Sequence, residues 1–223
     1  MSKILTFEEI RNNPEIQTYL EFTDKAFAVM GYKEHGQGHA LRSAMTAENV
    51  LKSLGYSVRE QELAKIATYI HDIGNMVSIH SHDQSSAVMF LNVIDEVLYG
   101  DEVFAVATAI GGHEDKNINP VSSIAAALVL GDKTDVRCER IRTKDMFLID
   151  KYSLVIAACR KAEVVVNKKK LTIKLKIDID TSFCSVSVMD YFEIFMSRMI
   201  YCKRAANVLK CNLELYINKD KFL

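Results

Sequence analysis

The stretch Leu63-Ala64-Lys65-Ile66-Ala67-Thr68-Tyr69-Ile70-His71-Asp72-Ile73-Gly74-Asn75 decides how this chain is read. Leu63 to Ile70 is apolar and helix-compatible, and Gly74 is a natural terminator, so the spacing predicts a helix that delivers His71 and Asp72 at its inward-facing end. An imidazole nitrogen beside a carboxylate oxygen reaches one cation, and the carboxylate can bridge to a second. A lone His-Asp pair also arises by chance, and a core histidine capped by its neighbour is the commoner meaning. The residues around it tip the balance.

Upstream, Thr6-Phe7-Glu8-Glu9 reads as a capping box opening a short helix. Asn13-Pro14 supplies a cap and a first-turn proline for a second helix that ends at Gly31, with Ile16, Leu20, Phe27 and Met30 at helical spacing. A polar loop, Tyr32 to Gly38, then brings His39 to the start of a third helix, which runs to about Leu54 and stops at Gly55. Ser57 and Glu60 form the capping box of the helix that carries the His-Asp pair.

Downstream, a loop holding His80 and His82 leads into a helix through Ser86, Met89, Phe90, Val93, Ile94 and Val97, stopping near Gly100. Asp101 starts another, whose apolar face (Phe104, Val106, Ala109, Ile110) ends at Gly111-Gly112-His113. After Asn119-Pro120, the apolar helix Ser123 to Leu130 delivers Asp132. The pattern changes beyond this point. Leu171, Ile173, Leu175, Ile177 and Ile179 alternate with polar residues as a half-buried strand does, and Ala162 to Val166 is its partner across an Asn167-Lys168-Lys169 turn. A long amphipathic helix from Met189 to about Leu209 packs Phe192, Phe195, Met196, Met199, Ala206 and Leu209 to one side, and Leu213, Leu215 and Ile217 alternate as a last strand. The fold class expected is mainly α: an all-helical region, residues 1–160, followed by a small α+β layer of β-β-α-β order, residues 161–223.

With 223 residues, 49% hydrophobic content and a formal net charge of -1, the chain suits one compact domain or one domain with an appendage. Near-neutral charge argues against bulk nucleic-acid binding. Lys and Arg outnumber Asp and Glu between Asp132 and Lys176, with Lys133, Arg137, Arg140, Arg142 and Lys144 just after a candidate ligand, and part of this charge is expected to meet a phosphorylated ligand. Cys138, Cys159, Cys184, Cys202 and Cys211 show no C-x-x-C pairing and fit reduced, packed thiols. No leader pattern and no apolar run long enough to span a membrane is present, so a soluble cytoplasmic protein is expected. The C-terminal layer is where a homo-oligomer would form.

His39, His71, Asp72, His82, His113 and Asp132 fall at helix starts, helix ends and loops. Such a set is enough for two divalent cations (Mn, Fe, Mg or Zn), with Asp72 the bridge. The first ion would take His39, His71, Asp72 and Asp132, and the second Asp72, His82 and His113. His82 is preferred to His80 because the helix begins there, and His35 and His80 read as loop histidines. Arg42 lies one turn after His39 on the same face, so its guanidinium is a candidate phosphate ligand. Lys133 is a candidate for binding phosphate and for offsetting transition-state charge. Arg137 is a further substrate-binding candidate, and Asn75 one for orienting a ligand or water.

In order, His39-Ala40-Leu41-Arg42, His71-Asp72-Ile73-Gly74, His82-Asp83-Gln84-Ser85, Gly112-His113-Glu114 and Gly131-Asp132-Lys133 resemble the pattern of the HD-domain superfamily of metal-dependent phosphohydrolases. The resemblance covers roughly residues 30 to 142. It implies an all-helical domain holding one or two divalent metals and hydrolysing a phosphomonoester or phosphodiester of a small, nucleotide-like substrate, with Asp72 as bridging ligand and a metal-activated water as nucleophile. The subgroup acting on cyclic dinucleotides has a lysine after His-Asp-x-Gly and a His-His pair, where this chain has Asn75 and Gly112-His113. The alarmone-hydrolase subgroup has acidic residues where this chain has Gly74 and Asn75. Some relatives with the same four histidines and two aspartates are di-iron oxygenases, and a ligand-sensing module is a third reading. The basic residues beside the site favour phosphate.

Overall fold

The computed structural model describes residues 3–95, 99–115, 117–142, 151–183 and 186–223, so Val97, Lys144 and Cys184 lie outside the described residues. Helix boundaries follow local chemistry. Thr6 and Glu9 close a capping box on α1 (Phe7–Asn12), and Asn13 caps α2 (Pro14–Val29) by accepting from the amides of Glu15 and Ile16. Helix α3 (Gln37–Leu54) ends at Gly55, whose φ of +87° only glycine adopts without strain. Helix α4 (Val58–Ile70) opens on the Ser57/Glu60 capping box, and a 3-10 turn, Ile73–Met76, follows the His-Asp pair.

Helix α5 (His82–Val93) is shorter than its apolar spacing suggests, because Ile94 is already extended. In α6 (Asp101–Gly111) the buried stripe is Val103, Val106, Ala107, Ala109 and Ile110, whereas Phe104, expected on that face, is exposed. Met30 and Met196 are corrected in the same way: both are exposed. Val103 takes the buried place next to Phe104 and Phe195 the one next to Met196, whereas Met30 lies just past the end of α2, where Val29 is exposed as well.

Helix α7 (Ser123–Lys133) is the centre of the molecule. Every residue from Ile124 to Lys133 is buried, as expected of a helix that is apolar all round. It packs against α3, α4 and α6 and against the long helix of the C-terminal layer. Small residues make this possible. A methyl group at Gly131 would stand 2.4 Å from the Ser43 carbonyl oxygen, so α3 and α7 meet backbone to backbone.

Beyond a 3-10 turn at Cys138–Arg140 and a short helix α8 (Lys151–Ala158), the chain enters β1 (Cys159–Asn167), earlier than the alternation suggested. Strand β2 (Thr172–Ile179) pairs antiparallel with β1, and Leu171, expected as its first buried residue, is instead an exposed turn residue at φ +48°. The chain then crosses through α9 (Val188–Val208) to β3 (Asn212–Ile217), which lies parallel to β2, and a two-residue β4 (Asp220–Lys221) completes the order β1-β2-β3-β4. Tyr191, Phe195, Met199, Tyr201, Cys202, Ala205 and Ala206 are the buried residues of α9, which packs on α7, while β1 packs on α3. Cys159, Cys202 and Cys211 are buried free thiols, and Cys138 is half-buried. Among the described residues no helix is long and apolar enough to cross a membrane.

Candidate metal centre

Five elements bring the six expected residues together. His39 comes from the first turns of α3, His71 and Asp72 from the end of α4, His82 from the start of α5, His113 from the turn after α6 and Asp132 from the last turn of α7. The two oxygens of Asp72 face different histidines. Its Oδ2 lies 3.5 Å from His39 Nε2 and 3.3 Å from His71 Nε2, while Oδ1 lies 3.1 Å from His82 Nε2 and 3.8 Å from His113 Nε2. Asp132 Oδ1 closes the first group at 3.4 Å from His39 Nε2 and 3.5 Å from His71 Nε2. Donors bound to one cation at ~2.0–2.2 Å stand roughly 3.0–3.5 Å apart at octahedral or tetrahedral angles. The four His–Asp separations of the first group have that spacing.

His71 Nε2 also belongs to a set with His113 and Asp132 in which all donor atoms lie within 4.8 Å of one another, as do those of Asp72, His82 and His113. His39 Nε2 and His71 Nε2 are buried without a hydrogen-bond partner, close to carboxylate oxygens but outside hydrogen-bonding geometry. Buried polar atoms are rarely left so, and two orphaned imidazole nitrogens facing two carboxylates fit a divalent cation.

The other ring nitrogens explain why these faces point inward. His71 Nδ1 lies 2.6 Å from the Thr68 carbonyl oxygen, His113 Nδ1 2.7 Å from that of Ile110 and His82 Nδ1 2.9 Å from that of Ile79. Each partner is three residues earlier, at a helix or turn end where the carbonyl can accept a side-chain hydrogen. With the Nδ1 proton anchored there, Nε2 is left as the electron-pair donor. His39 uses a carboxylate instead, Asp135 Oδ2 at 2.8 Å. Asn75 steadies the bridge by donating from Nδ2 to Asp72 Oδ1 at 2.9 Å.

Burial opposes the charge on Asp72 and Asp132, yet both are held well below the usual carboxylate range, Asp72 by His71, His39 and His82 and Asp132 by Lys133 and His71. Burial likewise opposes a proton on His71, but Asp72 and Asp132 raise its pKa to about 10. His113 goes the other way, to about 3, through burial reinforced by His71 and Lys133. The two carboxylates thus favour positive charge beside them, whether a proton on His71 or a divalent cation.

A cavity of about 500 Å³ opens on this centre, lined by Asp72, His82 and Asp132 together with Phe27, Tyr32, Lys33, Tyr152, Ser153 and Arg198. Exposed His80 stands at its rim, and His82, not His80, joins the cluster. His35, read from the sequence as a plain loop residue, also lines the cavity and packs on Phe27 with ring centres 3.9 Å apart.

The basic residues are placed differently from the sequence expectation. Arg42 and Arg137 are not among the described residues lining this cavity; Arg42 pairs with Glu34 and Asp135, and Arg137 Nε lies 3.1 Å from Asp135. Arg140 is buried and donates to the carbonyl oxygens of Glu34 and Asp135, and Arg142 pairs with Asp24. The cationic run after Asp132 thus holds the loop before α3 and the carboxylate behind His39. Lys133 does line the cavity, but its ammonium is spoken for by Asp132 Oδ2 at 2.6 Å and by Glu114. Asp135 went unread in the sequence, although a second carboxylate one turn after Asp132 was a usable signal. Lys33, Tyr152 and Arg198 carry no motif.

Close packing at Gly74 sets the distance between the two halves of the centre. A methyl group there would stand 2.4 Å from the His82 carbonyl oxygen and 2.5 Å from the Ser86 nitrogen, and the Gly74 amide donates to Ser86 Oγ at 2.8 Å. Gly74→Ala is expected to push α5 away at a cost of about 1–3 kcal/mol and to lower metal occupancy at His82 before that at His39. Thermal unfolding and elemental analysis check this. Unchanged metal content with unchanged stability would show that α5 does not depend on this contact.

The family model described as HD domain matches residues 36–154. An uncharacterized protein from Methanocaldococcus jannaschii is 27% identical over 161 residues, which is 62% of this chain and 62% of that protein. The chain therefore spans less than two thirds of that relative's length.

Proposed function

We propose, from the premise that this chain belongs to the HD-domain family of metal-dependent phosphohydrolases, that it cleaves a phosphoester bond of a small phosphorylated or nucleotide-like substrate at the centre between His39 and His113. The observation that carries this reading is Asp72, whose two oxygens face two separate histidine pairs. His39, His71, Asp72 and Asp132 would hold one divalent ion, and Asp72, His82 and His113 a second. Such ions lower the pKa of a bound water and polarise a phosphoryl oxygen.

The chain's own residues supply orientation. Asp135 and the carbonyls of Thr68, Ile79 and Ile110 fix the imidazole tautomers, and Asn75 holds the bridging carboxylate in place. Lys133, clamped between Asp132 and Glu114, keeps Asp132 ionised at the cavity floor. No nucleophilic side chain is needed, and four of the six donors are neutral, which leaves net positive charge to attract a phosphate once two divalent ions are bound.

Release of inorganic phosphate from a panel of nucleotides and phosphomonoesters, with manganese added to anaerobically purified protein, is the expected result. The same four histidines and two aspartates suit a di-iron oxygenase. Oxygen uptake coupled to substrate loss, with no phosphoester cleaved under any divalent metal, would assign the centre to that chemistry instead.

A further inference from the structure

Lys33 and Arg198 are basic residues of the cavity wall that no carboxylate among the described residues contacts directly, although Asp132 and Glu114 favour the Arg198 charge from farther away. Lys133 pairs with Asp132 and Glu114, Arg140 with Asp135, Arg42 with Glu34 and Asp135, and Arg142 with Asp24. Among the described residues, neither Lys33 nor Arg198 forms an ion pair. Lys33 is only 6% exposed, and its Nζ donates to Tyr152 Oη at 2.8 Å. Both cations gather on one ring: Lys33 Nζ is 4.9 Å and the Arg198 guanidinium carbon 5.4 Å from the centre of Tyr152.

Placing two like charges against one ring in a half-closed pocket is costly, and a ring face offsets the cost only in part. Burial drives the Lys33 amine well below the usual lysine range, and Arg140 and Arg198 push it the same way against the pull of Asp132 and Asp135. An incoming oxyanion removes the conflict at once. It would favour the protonated form of the Lys33 amine and accept hydrogen bonds from it and from the guanidinium, the charge-assisted kind that is strongest out of water. The three groups come from distant parts of the chain, Lys33 from the loop before α3, Tyr152 from α8 and Arg198 from α9, and they meet in the cavity that Asp72 and Asp132 also line.

We propose that Lys33, Arg198 and the Tyr152 hydroxyl form a second anion subsite in the metal-centre cavity, and that the substrate is a small molecule with two phosphoryl groups, one for the metal ligands and one for this subsite. The inference rests on the phosphohydrolase reading of the centre. It gives the C-terminal layer a direct part in substrate choice, because Arg198 is its contribution to the pocket. The aromatic wall of Phe27 and Tyr32 then suits an apolar or planar body between the two phosphates.

The test is calorimetric titration of the manganese-loaded full chain with a simple alkylphosphonate, with butane- to octane-bridged bisphosphonates too long to chelate one ion, and with the matching phosphonocarboxylates. Wild type is expected to bind the best-fitting bisphosphonate roughly thirtyfold tighter than the alkylphosphonate. Arg198→Gln and Lys33→Met should each reduce that ratio about tenfold, and Arg198→Lys should keep part of it. Circular dichroism shows which variants are folded, and the two single variants and the conservative one give three independent readings. A ratio near one in wild type, or a ratio unchanged in the folded variants, overturns the subsite. An equal gain from the phosphonocarboxylates overturns the second phosphate as its ligand. Titration reads binding without turnover, so a protein that prefers bisphosphonates yet hydrolyses no phosphoester retains the subsite and loses the phosphohydrolase reading. Hydrolysis without the preference does the reverse.

Discussion

Asp72→Ala is expected to remove both metal ions and all activity, the largest effect of any single substitution at the centre. Its two oxygens each face one histidine pair, Oδ2 at 3.3 Å from His71 Nε2 and Oδ1 at 3.1 Å from His82 Nε2. No neighbour can replace it, because Asp132 commits Oδ1 to the His39/His71 side and Oδ2 to Lys133. His82→Ala and His113→Ala should behave differently. Each removes one neutral donor and leaves His39, His71, Asp72 and Asp132 as a workable set, so metal content should fall from about two ions toward one. Elemental analysis of the three variants, with circular dichroism to show that the helices persist, separates these outcomes from unfolding. A wild type with one ion, together with full metal and activity in His82→Ala and His113→Ala, would make the centre mononuclear.

Ending the chain at Arg160 is expected to abolish cooperative folding, because the C-terminal layer covers the central helix. Tyr191, Phe195, Met199 and Cys202 are buried on α9, which packs against α7. Loss of one large buried aromatic costs about 3–5 kcal/mol, and a whole domain holds only ~5–15 kcal/mol in total. The same helix supports the centre directly: Tyr201 donates its hydroxyl to the Gly112 carbonyl at 2.7 Å, one residue before His113, and Arg198 lines the cavity. A truncated chain should therefore show no sharp thermal transition and little bound metal. If it melts at the same temperature as the full chain with the same metal content, the layer is an independent appendage and the packing of α9 on α7 contributes little.

The sequence by itself determined most helix boundaries and the order of the candidate donors that the fold brings together. Capping boxes at Thr6 and Ser57, the Asn13-Pro14 start and the Gly55 stop are local arrangements of a few atoms, settled by residues within one turn of each other. The order His39, His71-Asp72, His82, His113, Asp132 was legible because imidazoles and carboxylates are common donors to divalent cations and the cysteines of this chain show no ligand spacing. Strand alternation from Ile173 to Ile179 was legible too, since a half-buried strand imposes period two on its own residues.

Only the tertiary structure decided where the cations went. Helical spacing places Arg42 on the face of His39, yet Asp135 and Glu34 capture its guanidinium, and the same Asp135 takes His39 Nδ1. Arg137 goes to Asp135, and Arg140 and Arg142 hold the loop before α3 rather than the cavity, while Lys33 and Arg198, which no local pattern marks, line the cavity with Asp72 and Asp132. A long charged side chain is placed by whichever counter-charge or ring lies within its reach after the helices pack. That neighbour is set by contacts between residues far apart in the chain, and α7, buried on all sides, is the element that brings them together.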